Sequence, residues 1–361
     1  MQTASVFDIP HLRPSGRFHP ESASRAGVLP LFWAASGLEL TYTGQELHLI
    51  LEADFEQCEP WIAVELDGAP VIRMPVSRGI SEVCVFRGAL PGTPRTVQMF
   101  KETQPVADDP RHRLAVCEIG WEGGEFLPLP RRDWRLEFVG DSLTSGEGVA
   151  GARAEESWMP AVFSASRTWA RLTSDLMNAS FRTISQSGWG VRSGWDNDPR
   201  HNLPELYERV CGAAVGEAAQ ERNDFSAWKP DAVIINLGTN DANALSSPAW
   251  TGPNGEQFRQ TGTPEGLRQF EDAAVLFLKQ LRRCNPDAKL VWAYGMCGGR
   301  LRPQLENAVE RFRRETGGQD AYYLPLPENT AETMGSRQHP GVLCHQAAAE
   351  VTANFLKDIL S

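Results

Sequence analysis

A change of period near residue 126 constrains this chain more than any other feature. Before it, the runs GLELTYTGQELHLILEADF, PWIAVELDGAPVIRMPV, SEVCVFRGAL, RTVQMFKETQ and RLAVCEIGWEGG are strand-like and separated by Gly, Pro or Asp turns. Short β-rich runs alternating with period two, with no long helical pattern among them, predict a β-sandwich. After FLPLPRRDW, strands alternate with helices: RLEFVG, a helix around RTWARLTSDLMN, FRTISQ, a helical stretch near LPELYERVCGAA, and DAVIINLG. The series continues with the helix TPEGLRQFEDAAVLFLKQLRRC, the strand KLVWAYGM, a helix at RPQLENAVERFRRET, the strand AYYLPL and a final helix through HQAAAEVTANFLKDIL. Strand-helix alternation of this kind predicts a parallel sheet covered on both faces.

A single hydrophobic core usually stops growing at roughly 250 to 300 residues. The chain has 361 residues, so two domains are expected. Pro128 and Pro130 make the FLPLPRRDW stretch a stiff linker, dividing the chain into a β-sandwich at 1–127 and an α/β domain at 128–361.

In an open parallel sheet, the loops after the strands share one edge, where sites form. Here GDSLTSG follows the first strand, SGWGVRSGW the second and GTND the third, while HPG precedes the last helix. Ser142, Gly188, Asn240 and His339 can therefore converge. Each suits one part of acyl transfer: Ser142 as nucleophile, His339 as the base that takes its proton and returns it to the leaving alcohol. The backbone N–H groups of Ser142 and Gly188 and the side-chain amide of Asn240 would stabilise the oxyanion. Each residue also has a plainer reading. Ser142 could be a helix N-cap, His339 a residue at a helix entry before Pro340, and Asn240 with Asp241 a turn. Asp141 is expected to fix the turn by hydrogen-bonding loop amides, and His345 to pack within the last helix.

The glycines do not fit nucleotide binding. GDSLTSGEG lacks the Lys-Ser/Thr pair of a P-loop, SGWGVRSG has one residue too many for GxGxxG, and no GxSxG elbow is present. Instead the blocks GDSL, SGWG, GTND and HP resemble those of the SGNH, or GDSL-type, hydrolases over roughly residues 134 to 361. A preceding β-sandwich, together with KETQ and GMCGG, is similar to the carbohydrate esterase family 2 acetyl esterases. That resemblance implies a jelly-roll-like N-terminal domain, an SGNH α/β hydrolase domain, no cofactor, and removal of O-acetyl groups from hemicellulose-type oligosaccharide through an acyl-enzyme. One departure is visible: most SGNH hydrolases carry an Asp three residues before the His, and Ser336 stands there. Family 2 members often manage without this Asp, their imidazole oriented by a backbone carbonyl or another group, so the resemblance implies a Ser-His dyad, with Asp196, Asp198 and the Ser336 hydroxyl as candidates to orient His339.

Composition limits the partners. With 46 acidic and 35 basic residues, the formal charge of −11 opposes nucleic acid and anionic membrane surfaces. No stretch reaches the roughly 20 apolar residues of a membrane span. MQTASVFDIPHLRPSGRF lacks the basic and apolar regions of a secretory signal, so a cytoplasmic location is expected. The seven cysteines are odd in number and contain no CxxC pair, which predicts buried reduced thiols and no metal site. Trp189, Trp195 and Trp250 fall in or near the site loops, where sugar rings could stack on them or the rings could pack internally. Other readings are an SGNH thioesterase or lysophospholipase acting on longer acyl chains, and a non-catalytic glycan-binding protein.

Overall fold

Period-two alternation builds the first part of the chain. In the strand Gly79–Arg87, Val83 and Val85 are buried and Cys84 between them is exposed, because successive side chains point to opposite faces. The computed structural model describes residues 1–361, and their contacts divide them into two units. The first comprises Met1–Arg132, Ser157–Ser166 and Arg209–Asn223. It holds two antiparallel sheets. One orders Gln2–Ser5, Arg113–Glu122, Glu46–Asp54 and Gly79–Arg87; the other Phe126–Leu127, Gly37–Tyr42, Arg95–Lys101, Trp61–Leu66 and Ala69–Pro75. Leu49, Leu51 and Val116 from the first sheet and Leu40, Val64 and Met99 from the second share one buried apolar cluster, the core of the expected sandwich.

Two sequence expectations change here. Only Cys211 and Cys344 of the seven thiols are buried, since strand alternation turns Cys84 outward. The stretch 203–214, expected to be helical, forms no helix. The N–H groups of Val210 and Cys211 donate to the carbonyls of Glu221 at 2.8 Å and Ala219 at 2.9 Å, which leaves no helical ladder to close. The indole of Trp33 donates to the carbonyl of Val210 at 2.8 Å, and this holds 209–223 with the β-rich unit. Beside the single division expected at 127/128, the unit thus gains two later segments, and Arg132, bonded to Glu39 at 2.5 Å, carries its first segment past the prolines.

The second unit is Asp133–Glu156, Arg167–Glu208 and Asp224–Ser361. Its strands are β1 (Trp134–Gly140), β2 (Ala179–Ser185), β3 (Ala232–Asn236), β4 (Lys289–Met296) and β5 (Ala321–Glu328), all parallel, in the order β2-β1-β3-β4-β5. Every residue of β3 is buried, as a central strand covered on both faces requires. The helices are α1 (Ser142–Ser145), α2 (Trp169–Leu176), α3 (Thr239–Ala244), α4 (Pro264–Cys284), α5 (Arg302–Thr316) and α6 (Val342–Leu360). Local chemistry sets their ends. The hydroxyl of Thr263 accepts the N–H of Gly266 at 3.2 Å, Pro264 opens α4, and Arg282 and Arg283 sit in its last turn. Strand order reverses at β1, with β2 on one side and β3 on the other, so a crevice opens where the loops after these three strands diverge.

Leu49→Ala should lower unfolding stability by about 2–5 kcal/mol, because the side chain is fully buried. Leu90→Ala, at a position 73% exposed, should stay within about 0.5 kcal/mol. Urea unfolding followed by tryptophan fluorescence compares the two.

Candidate active site

The chain leaves β1 at Gly140 and turns at once. Asp141 caps α1, its Oδ1 accepting the N–H of Leu143 at 3.1 Å. Gly146, with φ of 87°, ends that single turn and returns its N–H to the carbonyl of Ser142 at 2.9 Å. Ser142 is thus the first residue of a short hydrogen-bonded turn at a strand end. Its hydroxyl lies 3.0 Å from Nε2 of His339.

The other face of the imidazole fixes its proton. Nδ1 of His339 is 2.8 Å from the carbonyl oxygen of Arg337. A carbonyl only accepts, so Nδ1 carries the hydrogen and Nε2 presents a lone pair to the serine hydroxyl. The backbone carbonyl orients the ring, and the three side chains weighed from the sequence do not. Ser336 Oγ donates to the carbonyl of Ala150 at 2.8 Å. Asp198 is paired with Arg200 at 2.5 Å, which holds its carboxyl below the usual range. Asp196 accepts the N–H of Asp198 at 3.1 Å. The two aspartates serve a local turn, and the Ser336 hydroxyl ties its loop to the segment after the nucleophile turn.

Arg337 reaches this position in the left-handed region, with φ of 55°, and Gln338 follows at 56°. Its backbone N–H donates to the carbonyl of Glu155 at 2.7 Å, and its guanidinium donates to Glu147 at 2.8 Å and to the carbonyl of Glu156 at 2.5 Å. The nucleophile turn lies tight against this loop. At Gly148, φ is +80°, and a Cβ there would sit 2.4 Å from His339 Cβ and 2.6 Å from the Ser336 carbonyl oxygen, so glycine is required.

Asn240, near the start of α3, joins the first three loops. Its amide donates to the carbonyl of Trp189 at 2.9 Å and to Oδ2 of Asp141 at 3.1 Å. The backbone N–H groups of Ser142 and Gly188, by contrast, have no acceptor within the chain. Gly188 has φ of +80°. Its carbonyl accepts the N–H of Trp195 at 3.0 Å, and the Trp195 ring lies over it. Two of the three expected oxyanion donors are free, while the third must exchange its Asp141 contact before it can contribute.

Two buried carboxyls brace these loops. Asp241 accepts the N–H groups of Val191 at 2.8 Å and Arg192 at 2.9 Å, holding the loop after β2. Burial raises its pKa. Burial likewise pushes the Asp141 carboxyl up to about 7; the Leu143 hydrogen bond opposes that rise, and the charges of Asp241 and Glu147 add to it. His345 is fully buried in α6, accepts the N–H of Trp169 at 3.0 Å, and is pushed down to about 3 by desolvation, so it is a neutral packing residue.

The three tryptophans separate. Trp189 is buried and stacks on His201 with ring centroids 5.1 Å apart. Trp250 is partly exposed beneath the guanidinium of Arg200 at 5.3 Å. Trp195 is 55% exposed beside Gly188 and offers the open aromatic face. The sequence reading passed over Glu147 and Arg337. A carboxylate enclosed by Gly146 and Gly148, directly after the GDSL block, is the signal for Glu147.

A family model described as the GDSL-like Lipase/Acylhydrolase family matches residues 138–346. Among solved structures, an acetyl xylan esterase (Est2A) from the rumen bacterium Butyrivibrio proteoclasticus has a TM-score of 0.96 and 36% identity, covering 100% of this chain and 99% of that one. A family two carbohydrate esterase from Clostridium thermocellum, in complex with cellohexaose, shares the fold with a TM-score of 0.81 and 24% identity, covering 97% of this chain and 99% of that one. The cellulase/esterase CelE of Acetivibrio thermocellus is 25% identical over 337 residues, which is 91% of this chain and 37% of CelE. This chain therefore spans little more than a third of that relative.

The raised Asp141 pKa has a measurable consequence. The folded carboxyl keeps its proton up to about pH 7, while its ordinary value is 3.8. The folded state therefore binds more protons within that window, and the contribution of Asp141 to stability falls as pH rises through it. Asp141→Asn removes the titration. Urea unfolding between pH 4 and pH 8 should show the variant gaining on the native chain as pH rises; a constant difference would contradict the shift.

Proposed function

Because the chain belongs to the GDSL-like lipase/acylhydrolase family, we propose that it is a serine esterase removing small acyl groups, foremost O-acetyl, from hemicellulose-type oligosaccharides. The observation that carries this reading is the 3.0 Å contact between Ser142 Oγ and His339 Nε2, with Nδ1 held by the Arg337 carbonyl. A serine hydroxyl is a weak nucleophile at neutral pH, and it needs a base within hydrogen-bonding reach. As Oγ attacks the ester carbonyl, its proton passes to Nε2 and the imidazolium forms. The Arg337 carbonyl keeps Nδ1–H in place throughout, so the ring accepts at one nitrogen only.

Negative charge then develops on the former carbonyl oxygen. The free N–H groups of Ser142 and Gly188 would donate to it, and the Asn240 amide joins by giving up Asp141. Collapse of the tetrahedral intermediate expels the sugar oxygen, which takes the proton from Nε2 and leaves an acetyl ester on Ser142. Water, deprotonated by His339, hydrolyses that ester by the same sequence of steps. The reading as a non-catalytic glycan-binding protein rested on the absent aspartate, and a backbone carbonyl supplies the orienting acceptor instead.

Similarity to an acetyl xylan esterase over the whole chain supports the choice of acyl group and sugar. The exposed ring of Trp195 beside Gly188 supports it independently, as a face on which a pyranose could stack.

Ser142→Ala should abolish hydrolysis of acetylated xylan fragments while leaving the unfolding transition in place. A serine-directed phosphonate followed by peptide mass spectrometry should label Ser142, and an active enzyme labelled elsewhere would overturn the assignment. Asn240→Ala should lower kcat by about 100- to 1,000-fold, the usual loss for one oxyanion donor. Across aryl esters from acetate to decanoate, acetate should turn over fastest. Octanoate overtaking it would favour a longer-chain thioesterase or lysophospholipase.

A further inference from the structure

Glu147 has no part in the proposed chemistry, yet it is almost completely buried five residues from the nucleophile. Its N–H returns to the carbonyl of Ser142 at 3.0 Å, so carboxylate and nucleophile belong to one rigid turn. One oxygen accepts from Nε of Arg337 at 2.8 Å; the other lies 4.0 Å from Nε2 of His339. Arg337 is the residue whose carbonyl orients the imidazole, and it holds a left-handed conformation that a side chain with a Cβ rarely adopts.

We propose that Glu147 is a positioning residue for the esterase reaction: its ion pair clamps Arg337 so that the carbonyl faces His339 Nδ1, and its second oxygen supplies negative charge beside the ring that becomes an imidazolium. The inference rests on Ser142 and His339 being nucleophile and base. Its geometry is direct. The loop that carries His339 is fastened to the nucleophile turn by the Glu147–Arg337 pair, by the Ser336 N–H bond to the Gly148 carbonyl at 3.0 Å, and by the Ser336 hydroxyl bond to Ala150. Two of these fasteners are neutral. The ion pair alone places a charge near the ring.

The charged and titratable groups around the imidazole are few. Arg337 comes from its own loop, with its guanidinium turned to Glu147. His345 comes from α6 and stays neutral. Asp141 lies beside Ser142 and holds its proton up to about pH 7. Glu147 is the carboxylate within 4.0 Å of Nε2, and it supplies the charge that an aspartate at position 336 would have brought to the opposite nitrogen.

Glu147→Gln separates charge from shape, because the amide oxygen can still accept from Arg337. It should lower kcat on an aryl acetate by about 10- to 100-fold with KM within about twofold, since the lost interaction belongs to the transition state. The acidic limb of kcat/KM against pH should move to lower pH, because the imidazolium loses its neighbouring anion. Glu147→Asp, which keeps the charge, should leave that limb near its native position even where kcat falls. If Glu147→Gln folds poorly, the same profile on Arg337→Gln decides the matter: freeing the carboxylate from its partner should move the limb upward. Ser142→Ala is measured alongside. Activity surviving in Ser142→Ala would overturn the nucleophile on which the inference rests. Loss there, with kcat and the acidic limb unchanged in Glu147→Gln, would overturn the positioning role alone, as would an unmoved limb in Arg337→Gln.

Discussion

The hydrogen bond from His339 Nδ1 to the Arg337 carbonyl governs the rest of the site. It decides which ring nitrogen bears the proton, and therefore whether Ser142 meets a base or a second donor. A carboxylate in that place would also stabilise the imidazolium by its charge, whereas a carbonyl offers only a dipole. Its precision has to come from the backbone, and the backbone here is strained. Two successive residues in the left-handed region cost about 1–2 kcal/mol each. The ion pair and carbonyl bonds of Arg337 offset that cost by fixing the loop against the serine turn.

Sheet topology delivers the other groups. Because the strands run parallel, the loops after β1, β2 and β3 emerge at one edge of the sheet around the crevice at β1, where residues far apart in the chain become neighbours. The amide of Asn240 then binds the first loop through Asp141 and the second through the Trp189 carbonyl. In the resting state this donor is occupied, and the two backbone donors are open. The site is thus assembled by the same group that later has to let go, and a proton on the buried Asp141 carboxyl weakens its hold.

Much of the architecture could be read in advance, and the failures have physical causes. Residues 263–284 and 302–316 carry helical periodicity over many turns, with Thr263 as a side-chain cap at the first, and they form α4 and α5 within one residue of expectation. The stretch 203–214 carries a similar pattern and forms no helix, because the carbonyls of Glu221 and Ala219 take the N–H groups of Val210 and Cys211. Trp189, Trp195 and Trp250 look alike as sequence. Only packing distinguishes a ring stacked on His201 from one open beside Gly188.

Composition and motif spacing by themselves established a two-part chain, a parallel sheet, and four loops bearing a hydroxyl, two amide donors and an imidazole, because residue type and strand periodicity are local properties. The tertiary structure decided what orients that imidazole, where Glu147 and Arg337 lie, and which tryptophan stays exposed. Those outcomes depend on a carbonyl's direction, a left-handed backbone and contacts between segments far apart in the chain. No residue letter encodes the direction in which a neighbouring carbonyl points.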